Sequence, residues 1–136
     1  GDVMQESVAA AFTYVRARSA SFGLPDDFLQ KIDVHVHLPE GSVPKDGASA
    51  GLPIVAAIAS MLTRHRVRGD AATTGEITLR GNVLRVSGIK DLDEVPEEVL
   101  KDLDIRFVTK IADALPLLLD MPDMPDVPKE PLNQTP

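Results

Sequence analysis

The chain has 136 residues, 43% of them hydrophobic, a formal charge of −7 and no cysteine. Such a length supports one core but not two, and the acidic balance argues against nucleic acid as a partner, since phosphate binding needs a basic surface. Without cysteine there are no disulfides and no thiolate metal sites, and no apolar run reaches membrane-spanning length. The N-terminal residues lack the basic and apolar regions of a signal peptide, so a cytoplasmic location is expected. Gly1 in place of an initiating methionine suggests a piece of something longer.

In chain order, residues 3–23 predict a helix with Met4, Val8, Phe12 and Val15 on its apolar stripe, stopped by Gly23 and Pro25. Residues 31–41, KIDVHVHLPEG, alternate strictly and predict a strand, with Ile32, Val34, Val36 and Leu38 on one face and Asp33, His35 and His37 on the other. His35 and His37 have a spacing that suits a metal, but two histidines without a third ligand make a poor zinc site; a structural or substrate-side role is the better reading.

The stretch PKDGASAGLP, residues 44–53, sets a lone serine, Ser49, among small residues ahead of the apolar run IVAAIASML. Two readings stand. The serine is a helix cap, or it is a nucleophile whose hydroxyl and neighbouring backbone amides are open to another molecule. The following helix is expected to bury Ile54, Val55, Ile58, Met61 and Leu62 and tolerates Pro53 in its first turn.

GEITLRGNVLRVSGI predicts a hairpin turning near Gly81 and Asn82. Its Glu76 is either a partner that orients site groups or a plain strand glutamate. Residues 91–104 are dominated by carboxylates and predict a solvated helical face. A strand and closing helix follow in IRFVTKIADALPLLLD, with Pro116 as a kink or break. Residues 121–136 are proline-rich with little to bury, so a disordered tail is expected after a domain spanning 1–120.

GDVMQESVAAAFTYVRAR, DVHVHLPEG, PKDGASAG and TTGEITLRGNVL together resemble, in order and spacing, the proteolytic domain of the bacterial Lon protease family. The resemblance covers most of residues 1–120. It implies an α+β fold with helices packed on small β-sheets, and a serine endopeptidase that degrades unfolded or damaged proteins with a serine–lysine dyad. It further implies an AAA+ ATPase module elsewhere in the full-length chain, where ATP and magnesium act, assembly as a homo-hexamer, and no cofactor in this domain. By position Ser49 matches the nucleophile, Asp46 the acid three residues before it, and Thr74 the threonine that assists the lysine; His37 is a supporting candidate. Ala48 replaces the family's usual proline and Ser87 a glycine, and both keep the site small.

A serine hydroxyl needs a base within hydrogen-bond reach, and a lysine serves if its pKa falls from about 10.4 to ~7–8, at a cost of roughly 3–5 kcal/mol. The family's lysine is the second in G-G-x-K-E-K or G-G-x-K-D-K. Here SGIKDLDEVP places Lys90 first and Leu92 where the second would stand. The family continues through a further helix and strand before its acidic D-L-x-x-[IV]-P stretch, whereas DLDEVP follows Lys90 at once. Omission and deletion of that segment both remain open, Lys90 stands in for the base, and a catalytically inactive ring-assembly or scaffold module is the alternative function.

Overall fold

The computed structural model describes residues 1–85 and 95–121. Its centre is helix α3, Gly51–Thr63, whose Leu52, Ile54, Val55, Ala56, Ile58 and Ala59 are all buried. A helix apolar on every side belongs in the middle of a core, and this one packs against α1, Asp2–Ala17. Burial of each large aliphatic side chain contributes about 1.5–3 kcal/mol, so the α1–α3 contact is a principal source of stability.

The face of α1 that meets the core is turned from the expected stripe. Val15 is buried as expected, but its buried companions are Ser7, Ala11 and Tyr14, while Met4, Val8 and Phe12 are half-buried. Helices approach most closely where side chains are short, and Ala11 on α1 with Ala56 and Ala59 on α3 gives that option. Met61, expected inside, is 51% exposed near the end of α3.

Helix α1 ends at Ala17, six residues short of the expected stop at Gly23. A 3-10 turn, Ser19–Phe22, closes on Gly23 at φ 68°, a left-handed conformation that glycine adopts without Cβ strain. The Phe22 ring stands edge-on to Tyr14, with centroids 6.4 Å apart. A single turn, α2, Phe28–Lys31, then buries Phe28.

Residues 32–38 do not form the expected strand. The alternation survives in burial, with Val34, Val36 and Leu38 half-covered and Asp33, His35 and His37 exposed. No backbone hydrogen bond joins this segment to a neighbour among the described residues. Alternation determines which side chains can be covered; a strand also needs a partner.

The hairpin forms as read. Strands β1, Glu76–Ile77, and β2, Val83–Leu84, pair antiparallel with Ile77 opposite Val83, and Gly81 takes φ 89° in the turn. The segment before the last helix adds to its edge: the Val83 amide donates to the Thr109 carbonyl at 2.8 Å and the Ile111 amide to the Gly81 carbonyl at 2.9 Å. The strand expected from Ile105 is reduced to an isolated bridge between Asn82 and Lys110. The acidic region contributes one exposed turn, α4, Glu97–Leu100.

Helix α5, Ile111–Leu118, buries Ile111, Ala114, Leu115 and Leu118. Pro116 lies inside it, and the helix runs only two residues further before Leu119 turns extended and bridges to Val67. The helices and the two-stranded sheet make an α+β fold. Of the expected tail, residues 121–136, Met121 is half-buried and packs against the core, and residues 122–136 lie outside the described residues.

Candidate functional site

The loop ahead of α3 is held from two sides. On one side the Asp46 carboxylate accepts hydrogen bonds from the Met4 amide at 2.8 Å and the Gly47 amide at 3.0 Å. It thereby satisfies a first-turn donor of α1 that has no partner within its own helix. The Met4 amide above all, together with the Gly47 amide, holds the Asp46 carboxyl below the usual carboxylate range. Lys45 anchors the same stretch, its ammonium donating to the carbonyls of Pro39 and, at 2.8 Å, Glu40.

On the other side, the chain leading into β1 is bonded to the loop. The Gly75 amide donates to the Ser49 carbonyl at 2.9 Å, and the Leu52 amide donates to the Gly75 carbonyl at 2.9 Å. Thr74 adds a longer contact, its hydroxyl donating to the Ser49 carbonyl at 3.4 Å. This approach requires glycine on both sides of the contact, at the start of α3 and just before β1. A Cβ on Gly51 would lie 2.8 Å from Ile77 Cγ1 and 3.2 Å from the Ile77 amide nitrogen, and one on Gly75 would lie 2.7 Å from Val83 Cγ1.

Ser49 itself is exposed. It is not a cap: α3 starts from Ala50, and no side chain caps it. The hydrogen bonds that Ser49 makes among the described residues run through its carbonyl, leaving the hydroxyl uncommitted. The helix start offers less to an anion than its sequence suggested. The Gly51 amide donates to the Ala48 carbonyl at 3.1 Å, the Leu52 amide is taken by Gly75, and Pro53 has no amide hydrogen. Among the described residues the Ser49 and Ala50 amides have no such acceptor, so they are the donors left for an oxyanion.

Of the residues singled out in the sequence, Ser49 and Thr74 are brought together. Asp46 is three residues before Ser49 in sequence but committed to α1. His37 is exposed on the extended segment, and Lys90 lies outside the described residues. Glu76 is half-buried in β1 opposite Leu84. No group of three or more histidines and carboxylates is placed to hold a metal among the described residues. Two clefts there also avoid Ser49: one of about 540 Å³ lies between residues 66–70 and the end of α5, the other, of about 670 Å³, between the start of α1 and residues 38–46. Sequence reasoning missed Lys45, four positions before Ser49, and the bonding of Gly75 to Ser49 and Leu52. A glycine immediately before a strand was the available signal for the latter.

Residues 1–92 match the C-terminal proteolytic domain of Lon protease (S16). The chain belongs to this family. Among its relatives, Lon protease 1 of Thermus thermophilus is 47% identical over 140 residues, covering 87% of this chain and 18% of the relative. Lon protease of Erwinia amylovora is 47% identical over 141 residues and that of Escherichia coli 46% over 141, each covering 88% of this chain and 18% of the relative. The chain thus spans about 18% of the length of these Lon relatives. The aligned span of 140 residues exceeds the 136 of the whole chain, although only 87% of the chain takes part. The Lon relatives therefore carry, within that span, a stretch with no counterpart here, and the match to the Lon domain ends at Leu92, close to the break read after Lys90.

Proposed function

We propose that this Lon-family domain is a serine endopeptidase in which Ser49 is the nucleophile and a lysine, with Lys90 in the nearest sequence position, is the general base. The observation that carries the reading is Ser49 itself: exposed, its hydroxyl uncommitted, on a loop fixed by Asp46 on one side and Gly75 on the other.

In this reading Ser49 Oγ attacks the scissile carbonyl carbon while its proton passes to the neutral lysine amine. The tetrahedral oxyanion accepts hydrogen bonds from the Ser49 and Ala50 amides. Collapse breaks the C–N bond, the lysine returns the proton to the leaving amine, and water then hydrolyses the acyl-serine with the lysine again as base. Thr74 assists the lysine, Asp46 holds the loop, and His37 lies on the substrate side. The substrates are unfolded polypeptides delivered by an AAA+ module that uses ATP and magnesium. The assembly is a cytoplasmic homo-hexamer, which restricts access to unfolded chains.

The test is hydrolysis of an unstructured fluorogenic peptide by the wild type, Ser49→Ala and Lys90→Ala. Loss in both variants, with circular dichroism unchanged, supports the dyad. Loss in Ser49→Ala alone moves the base to another residue. No hydrolysis by the wild type, with assembly retained, gives the scaffold function instead.

A further inference from the structure

The chain between α4 and α5 has the alternation of a strand and no strand beside it among the described residues. Leu103, Ile105 and Phe107 are 54%, 39% and 73% exposed, with Asp104 and Arg106 between them. The Asp104 carboxylate accepts two hydrogen bonds of 2.8 Å from the Arg106 guanidinium. Side chains two positions apart share a face in extended backbone and diverge in a helix, so this pair sets the three apolar side chains on the opposite face. The segment runs on from a chain that is already annealed: the Thr109 carbonyl accepts from the Val83 amide at 2.8 Å, and Lys110 bridges antiparallel to Asn82. From Asp104 to Val108, no backbone amide or carbonyl is bonded to other backbone among the described residues.

A row of exposed apolar side chains beside unbonded backbone groups is an edge that accepts a further strand. The Lon relatives indicate what covers it. Their aligned span holds a stretch with no counterpart here, about 20 residues long, the difference between 140 aligned residues and 87% of the 136 in this chain. The match to the family stops at Leu92, shortly before Leu103. The segment without a partner thus follows the point where the Lon relatives carry additional chain. A stretch of that length holds a strand of five or six residues together with its connections.

We propose that residues 103–108 are an acceptor edge for a β-strand delivered on a separate polypeptide, the strand coming from the stretch that the Lon relatives carry and this chain lacks. Its backbone bonds the free amides and carbonyls of 104–108, and its alternate side chains cover Leu103, Ile105 and Phe107. Main-chain hydrogen bonds give such an addition its affinity, and the side chains on one face give its specificity. The Asp104–Arg106 pair neutralises itself on the other face, so it asks for no charge on the incoming strand. The proposal is independent of the chemistry at Ser49.

The test uses the whole 136-residue chain and a fluorescein-labelled synthetic peptide with the sequence of the unmatched stretch of Escherichia coli Lon protease. Fluorescence anisotropy should rise to saturation as protein is added, and amide exchange at residues 104–108 should slow in the complex. Leu103→Ser and Phe107→Ser should each weaken binding about tenfold or more, with the circular dichroism spectrum of the free chain unchanged because both side chains are exposed. Methylating alternate amides of the peptide should weaken it as much, since a strand binds through its backbone. A peptide that does not bind, that binds both serine variants as tightly as the wild type, or that is matched by its own scrambled sequence would overturn the proposal. Binding that leaves exchange at 104–108 unchanged would overturn it equally. Hydrolysis of the unstructured fluorogenic peptide, read on the free chain, reports on the Ser49 reading separately.

Discussion

Gly75 and Ser49 are bonded backbone to backbone, the Gly75 amide donating to the Ser49 carbonyl at 2.9 Å, and the Gly75 carbonyl is bonded in turn to Leu52 on α3. The loop bearing Ser49 is thus clamped to the strand that starts at Glu76, and its position depends on how closely two chain segments can approach.

Gly51→Ala tests that closeness. The added methyl would meet Ile77 at both side chain and backbone. Overpacking of this kind costs about 1–3 kcal/mol, whereas alanine's helix preference returns up to about 1. The expected net loss is about 1–2 kcal/mol in urea unfolding, with hydrolysis reduced as the Ser49 loop shifts.

Asp46 ties the loop to α1, so Asp46→Ala should lower the melting temperature at neutral pH. The carboxyl is held below its ordinary range chiefly by the Met4 amide, so its contribution is fully present above the unfolded pKa of about 3.9 and fades as pH falls through the lower folded value. Melting curves of wild type and variant from pH 7 to acid should therefore converge at the acid end. A gap that persisted there would point to packing as the source.

Arg18 stacks over the Tyr14 ring, 4.2 Å from its centroid, and donates to the Arg80 carbonyl at 2.9 Å beside the Gly81 turn. Arg18→Ala should cost about 1–2 kcal/mol and loosen the hairpin, read as faster amide exchange at Gly81.

Lys45 and Lys90 separate anchoring from catalysis. Lys45→Met should destabilise the fold, because the Pro39 and Glu40 carbonyls lose their donor. Lys90→Ala should lower hydrolysis about a hundredfold or more while leaving urea unfolding unchanged.

The hairpin was legible because a positive-φ turn needs glycine and Gly81 supplied it between two short apolar runs. The α3 span and the start of α1 were legible from periodicity, but not the end of α1 at Ala17 nor which of its faces turns inward: Ser7 and Ala11 count for little in hydropathy and much in how near α3 can come. Residues 32–38 misled because alternation is a property of one segment and pairing a property of two. At the site, the serine motif was local and readable. The clamp by Gly75 and the anchoring of Asp46 to Met4 join residues 26 and 42 positions apart in sequence, and nothing in the spacing announces either. Lys45 was passed over because a loop lysine bonding carbonyls leaves no pattern.

The most direct test of Ser49 as the nucleophile is the intact mass of the chain after incubation with a fluorophosphonate that phosphonylates activated serines. One adduct is predicted, mapped to Ser49 by peptide fragmentation and absent from Ser49→Ala. An unmodified wild type, or an adduct that persists in Ser49→Ala, would contradict the assignment.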